Sequence, residues 1–371
     1  MIAAALQFRR PLHRLARRSL FLLFAACSLS VALHAQGELG SLKIRITRDP
    51  THRKILVTAG GQSFTEFIYP DTLEKPVLYP IYAPDNQLIT RGFPLSPRPG
   101  EPVDHPHHLG LWFNYENVNG LDFWNNSFAI PADKKHAYGW IRTDGNTIMV
   151  GNGSLQGGGN NGSISYKAAW TDQQRNTLLQ ESTTYSFSAG AKERVIDRTT
   201  TLTAVVDVNF PDAKDGMLGL RVTRELQIPS NAPGQFVDDK GNITKVAAGN
   251  SPDINGNYIT SAEKQGDSAW GTRATWCMLY GRKLSDTLSV VMIDHPANPG
   301  YPTYWHARGY GLFAANPLGQ KIFSQGRHNL NFSLKKGASV TFRYRIVIAA
   351  GAGRLSTGRI AQLADAFAKS R

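Results

Sequence analysis

Hydrophobic and polar positions alternate with a period of two in run after run along this chain. Leu42-Lys43-Ile44-Arg45-Ile46 and Lys54-Ile55-Leu56-Val57 come first, separated by turn residues. The pattern returns at 163–170, 181–188 and 197–208, the last with Leu202, Ala204, Val206 and Val208 on one face. Near the end, Phe342, Tyr344, Ile346 and Ile348 alternate with Arg343 and Arg345. Successive side chains of a strand point to opposite faces, so short alternating runs at this spacing predict antiparallel sheets stacked as a sandwich or barrel. The fold class is therefore mainly β, a large antiparallel β-sandwich.

Helical spacing occurs once. Ile360, Leu363 and Phe367 form a stripe behind Ser356-Thr357, a suitable N-terminal cap. This short C-terminal helix is expected to pack on the sandwich and close an edge. The stretch 151–162 is rich in Gly and Asn and predicts a hairpin or surface loop. It lacks the Lys-Ser/Thr ending and following helix of a phosphate cradle. The stretch 235–265 is polar and predicts a long loop of the kind that often serves as a lid.

The first 36 residues stand apart from this pattern. Arg9, Arg10, Arg14, Arg17 and Arg18 precede an apolar run at 20–33, which ends in His34-Ala35-Gln36. A basic start, a short apolar stretch and small residues at its end predict a secretory signal peptide over 1–36, cut near Ala35. The run is shorter than the roughly 20 apolar residues that span a bilayer. Residues 37–371 then form a single β-sandwich domain, and the expected location is periplasmic or secreted. Phe24-Ala25-Ala26-Cys27 offers a weaker lipoprotein reading.

Charge and cysteines narrow the classes further. The whole chain carries +13, and loss of the five leader arginines leaves +8. The excess is dispersed, without the basic stripe or module that nucleic-acid binding requires, and no later segment is apolar enough to span a membrane. Of the two cysteines only Cys277 lies beyond the leader, so no internal disulfide forms there and the thiol is expected in the core.

Chemistry concentrates in two segments that hold five of the ten histidines. The first is Asp104-His105-Pro106-His107-His108-Leu109-Gly110-Leu111-Trp112, continuing through Glu116 and Asn119 to Asp122 and Trp124. Pro106 restricts the residue before it towards extended backbone, which would put His105 and His107 on one face and His108 on the other. The second is Asp294-His295-Pro296, followed by Trp305-His306-Ala307-Arg308 and Asn316. Positions two apart in a strand share a face, so His306 and Arg308 can converge on one ligand.

These residue types suit a sugar or similar small polar substrate. Indoles stack on the apolar faces of pyranoses, and Asn, Asp, His and Arg bond hydroxyls. Imidazole near pH 7 passes protons to or from sugar oxygens. His108 and His306 are the expected proton-transfer groups, Arg308 holds an anion or polarises a carbonyl, and Glu116 or Asp122 is the partner carboxylate. His105, His107, Trp112, Asn119, Asp122, Trp124, Trp270, His295, Trp305 and Asn316 are expected to bind substrate. No cofactor is expected; a metal at His105 and His107, completed by His295, His306 or Glu116, is the minority alternative.

The same residues carry a family resemblance. Lys75-Pro76-Val77-Leu78-Tyr79-Pro80, Thr90-Arg91-Gly92, the Asp-His-Pro-His-His segment, Val118-Asn119-Gly120 and Phe123-Trp124 resemble the PmoA-like family, DUF6807. The resemblance continues through Asp215-Gly216, Arg221, Trp270-Gly271, Asp294-His295-Pro296, Pro302-Thr303, Trp305-His306, Arg308, Tyr310-Gly311 and Asn316-Pro317, nearly the whole chain beyond the leader. Leu109 stands where the pattern would have Arg. The resemblance implies a secreted protein with a galactose-mutarotase-like supersandwich. Its methane-oxygenase label does not transfer, since the chain beyond the leader lacks a spanning segment. Three functions follow as expectations: a carbohydrate epimerase, lyase or hydrolase; a non-catalytic glycan binder; and a metal-dependent oxygenase or hydrolase.

Overall fold

The computed structural model describes residues 41–152, 160–247 and 251–370. The predicted signal segment and Cys27 lie outside them, as does the tip of the Gly/Asn-rich stretch. Its flanks do pair as a hairpin, Met149–Asn152 against Gly162–Thr171. Among the described residues no helix is long and apolar enough to cross a membrane.

Two large antiparallel sheets make up the molecule. An eight-stranded sheet runs in the order Ile44–Asp49, Lys54–Ala59, Gln62–Ile68, Val77–Ile81, Leu111–Tyr115, Gly216–Arg221, Leu312–Asn316, Tyr304–Arg308. A nine-stranded sheet is built around the long strands Gly162–Thr171, Thr177–Ala189, Glu193–Ala204 and Ser339–Gly351. Aromatic side chains knit their inner faces together: Phe67 meets Tyr166 at 4.7 Å, Phe64 meets Phe187 at 5.7 Å, and Phe113 meets Phe342 at 5.6 Å between ring centroids. The mainly β, antiparallel sandwich expected from the alternation is what forms. Each large apolar side chain withdrawn from water is worth about 1.5–3 kcal/mol, so a core of this extent holds without a crosslink. Cys277 lies fully buried within it, and burial pushes its thiol well above the ordinary range.

One polar cluster is sealed inside the sandwich. Glu181 accepts from Tyr166, Thr183 and Arg198 on one oxygen and from the Trp170 indole on the other. The Arg198 guanidinium also lies 4.6 Å over the Phe113 ring of the opposite sheet. A buried ion pair persists only when its remaining donors and acceptors are matched, and here both carboxylate oxygens are used.

Three local expectations are revised. The run 197–208 does not continue as one strand: Glu193–Ala204 ends where Val205 N–H turns to Leu178, and Val206 is exposed. Val208–Phe210 then pairs separately with Phe332–Leu334. The helix Thr357–Ala368 begins at the Ser356 cap and buries Ile360, Leu363 and Phe367 as read. It covers a face, however, lying on Trp276, Met278, Val291, Ile293 and Val347 of the nine-stranded sheet rather than closing an edge. The polar stretch 235–265 contains its own hairpin, Gly234–Val237 with Ile243–Val246, and a sheet strand, Asn257–Thr260.

Candidate functional site

The outer face of the eight-stranded sheet carries the unusual residues. Alternation puts Leu111, Phe113, Leu218, Leu220, Trp305, Ala307, Phe313 and Ala315 into the sandwich core. It sends Trp112, Arg221, His306, Arg308, Leu312 and Ala314 to the other side. Register then aligns Trp112 with Gly219, Gly219 with Ala314, and Ala314 with His306 in one row across four strands. Three steps of about 4.8 Å put the ends of that row roughly 14 Å apart. Gly219 is required here because a Cβ would stand 2.5 Å from the Trp112 ring.

The Asp-His-Pro-His-His segment is a turn above this row, not the extended chain expected. His105 adopts φ +46°, and His108 N–H bonds back to His105 C=O. Left-handed backbone at a non-glycine costs about 1–3 kcal/mol and persists where surrounding contacts over-determine it. Arg91 supplies them, donating to Asp104 C=O at 2.7 Å, His105 C=O at 2.9 Å and the Asp104 carboxylate at 2.9 Å. Gly110, at φ +53°, passes so near Leu78 C=O that a Cβ would lie 2.2 Å from its oxygen.

The turn bunches all three imidazoles, so His108 joins His105 and His107 instead of pointing away. His108 stacks on His105 at 4.8 Å and on Trp112 at 5.2 Å, and His107 meets it edge-on at 4.3 Å. Asp104 accepts from Arg91, from Arg221 at 2.6 Å and from His105 Nδ1. Burial opposes ionisation of Asp104, but the His105 bond and the two guanidinium charges outweigh it and hold the carboxyl well below its ordinary range. Arg221 also donates to His108 Nδ1 at 3.3 Å, so the His108 proton resides on Nε2. Burial, then the neighbouring cations, keeps His107 and His108 neutral, His107 being pushed down to about 2.

The second segment divides. His306 faces the site, its Nδ1 3.3 Å from Asp215 Oδ1 but without an aligned hydrogen bond. Burial depresses its basicity and the Asp215 carboxylate only partly restores it. Burial acts against Asp215 ionising, yet His306 and then Lys214 keep its carboxyl below the ordinary range. Arg308 is exposed, its guanidinium 5.8 Å from the ring centroids of both Trp270 and Tyr310. Tyr310 stacks on His105 at 4.9 Å, which links the two segments.

Carboxylates and a lysine complete the circuit. Glu116 accepts from Asp215 N–H at 3.0 Å; burial and then the Asp215 charge raise its carboxyl above the ordinary range. Burial likewise raises Asp122, against bonds from Asn125. Lys75 is fully buried, donating to Trp124 C=O at 3.4 Å with its ammonium 5.7 Å from the Trp112 ring; burial pulls it down to about 8. Glu116 adjoins the Asp215–His306 pair, and Tyr310 joins the Arg308 end of the row to His105. The two halves therefore lie on one face of the sheet.

Several expected binders are placed elsewhere. His295 lies on the nine-stranded sheet, its ring edge-on to Phe367 at 5.1 Å and its Nδ1 accepting from Ala297 N–H. Asp294 holds that turn by accepting from His295, Asn298 and Thr303. Trp305 is in the inner core, bonded to Ala274 C=O. Asn316 spends its amide on Ala213, Lys214, Leu318 and Gly319, and Asn119 ties a turn to Asp207 and Asn209. Trp112 and Trp124 are 0% and 1% exposed, so they are the floor of the site and not stacking surfaces for a ligand. Trp270 is half-buried beside Arg308.

Lys75, Arg91, Arg221, Asp215 and Tyr310 received no role from the sequence. The available signal was a cation closing an apolar strand, as in Met217-Leu218-Gly219-Leu220-Arg221. No group of three or more His, Cys, Asp or Glu in metal-holding geometry occurs among the described residues.

Fold and site together define a two-sheet antiparallel β-sandwich with a histidine, carboxylate and arginine patch on one sheet face. The chain belongs to DUF6807, a family of unknown function, whose profile matches residues 54–365. That description names no activity, so the oxygenase label gains no support from it. No curated protein matches the chain. Among solved structures it is similar to the galactosidase domain of an α-galactosidase–sucrose kinase (9% identity, 83% of this chain and 42% of that one, TM-score 0.38). It is also similar to a GH36 α-galactosidase from Geobacillus stearothermophilus (9%, 83% and 41%, 0.38). A galactose mutarotase-like protein from Clostridium acetobutylicum matches at 11% identity over 84% of this chain and 99% of that one, TM-score 0.36. The chain spans about two fifths of the galactosidases' length. At these scores the likenesses carry no argument, and the sandwich rests on its own strand pairing.

Proposed function

We propose that the patch is the active site of an exported carbohydrate-active enzyme working by acid–base proton transfer. The observation that supports this reading most is the His306–Asp215 pair beside Glu116, on the face that also carries Lys75 and the bunched histidines. His306 is a neutral imidazole able to take a proton, and ionised Asp215 stabilises the imidazolium that results. Glu116, raised above the ordinary carboxylate range, is suited to hold and return a proton. Hydrolysis, elimination and epimerisation of a sugar all need such a pair.

His108 has a different part from the one first expected. Its Nδ1 is occupied by Arg221 and both ring faces are covered, so it positions His105 and the indole floor instead of serving as the base. The Trp270 indole N–H, beside Arg308, is buried without a partner among the described residues, and such a donor costs about 1–3 kcal/mol unless something polar meets it.

The test is turnover of a panel of glycosides and free sugars by the intact protein and by His306→Ala. Loss of a positioned acid–base group costs about 10²–10⁴-fold in rate, and that drop is expected with the fold unchanged by circular dichroism. The kcat/KM profile should be bell-shaped, rising as His306 loses its proton at a pKa that burial puts below 6.5 and falling as Glu116, raised above 4.5, loses its own. Unchanged turnover in His306→Ala would overturn the assignment. Binding retained by a protein that turns over nothing would favour a glycan-binding module.

A further inference from the structure

A cleft of about 450 Å³ opens beside the patch and shares Asp104, His105, Arg221 and Tyr310 with it. Its other walls include Phe236, Pro229 and Pro233, with Gln227 and Asp267 for hydrogen bonding. The volume lies within the roughly 300–1,000 Å³ of ordinary ligand pockets. Apolar walls set beside Arg221, Arg224, Gln227, Gln235 and Asp267 suit a polar ring with an apolar face, and the shared residues make patch and cleft continuous.

Arginine side chains gather along it: Arg221 and Arg224 line the cleft, and Arg308 immediately precedes the lining residues Gly309 and Tyr310. Arg221 and Arg308 both pair with Leu312 in register, one on each side of it, and both guanidinium groups lie over the Tyr310 ring, at 4.9 and 5.8 Å. Arg221 shares the single Asp104 carboxylate with Arg91. Of the other acids nearby, Asp215 pairs with His306 and Lys214, while the Asp267 carboxylate sits in the cleft wall against Gly309. The Arg308 guanidinium makes no ion pair or hydrogen bond among the described residues. It lies 5.8 Å from the centroids of both the Trp270 and Tyr310 rings and is open to solvent. A guanidinium beside aromatic faces can offer its planar fork to a carboxylate or sulfate in bidentate fashion.

We propose that the ligand is an anionic glycan, lying across the patch and cleft with its carboxylate or sulfate on Arg308 and its next sugar between Tyr310 and Phe236. This rests on the carbohydrate reading above and narrows its substrate class.

Titration calorimetry on the intact protein tests it with four disaccharide probes: a uronic-acid disaccharide, its methyl ester, the neutral parent and a sulfated parent. At least tenfold tighter binding of the uronate or sulfated probe over the neutral ones is expected. Arg308→Gln should abolish that preference, and Phe236→Ala should weaken the anionic disaccharide more than the matching monosaccharide. The probe that binds tighter identifies the anion. Equal affinity of charged and neutral probes for the unaltered protein would overturn the proposal while leaving a His306-dependent activity standing. Failure of all four to bind, with no glycoside turned over, would overturn both readings.

Discussion

At the scale of single residues, the site is built from charges placed where water is scarce. Lys75 shows the consequence most simply. Burial pulls its ammonium from 10.5 down to about 8, against partial support from Glu74 and Asp122. Between those values the unfolded chain holds a proton that the folded chain has released. Unfolding therefore takes up a proton, and stability rises with pH across that window. Urea unfolding at several pH values from 7.5 to 10.5 should show this rise, and Lys75→Met should flatten it. An equal slope in both proteins would mean that the lysine titrates normally. Little of this was legible beforehand. Lys75, Arg91 and Arg221 stood out in the sequence only as positions of the family resemblance, without a role, because burial is a property of what packs over them. The histidines were conspicuous by composition, but their roles were set by contacts: the Arg221 bond fixes the His108 tautomer, and Asp294 makes the second Asp-His-Pro a turn.

Among the elements, two-residue periodicity explains which members of a motif reach the site. Trp305, His306, Ala307 and Arg308 are consecutive, yet the strand divides them cleanly between core and outer face. The alternation needed to foresee this was present in the sequence; taking Trp305 as a stacking residue overlooked it. Alternation also foretold the sandwich, and the Ser356 cap with its apolar stripe foretold the helix. The His105 conformation was not foreseeable from Pro106, since the proline's local preference yields to Arg91, which clamps backbone and side-chain oxygens of the turn from the loop after Thr90. Gly219 depends on the same cross-strand packing. Adding a methyl group there would press on an indole already jammed between His108 and Trp124. Gly219→Ala should destabilise the protein by about 1–3 kcal/mol, the usual range for overpacking, and alter its tryptophan fluorescence. Stability within 0.5 kcal/mol of the parent, as for the ~0.5 kcal/mol of neutral substitutions, would show that the row is looser than described.

For the whole molecule, the decisive feature is sheet order. The strands Leu111–Tyr115 and Tyr304–Arg308 are nearly 200 positions apart in the sequence, but only two strands separate them in the sheet. Nothing in either segment announces this neighbour relation, so two histidine clusters could be read but not joined. The sheet joins His306 and Arg308 to the first cluster through Tyr310 and leaves His295 on the other sheet, under the C-terminal helix. Imidazole ¹H–¹⁵N NMR of the intact protein, followed during addition of the uronic-acid disaccharide, tests that central claim directly. His107 and His306 signals are expected to shift together along one saturation curve while His295 stays still. Shifts confined to one segment, or a His295 response equal to that of His306, would contradict a single shared site.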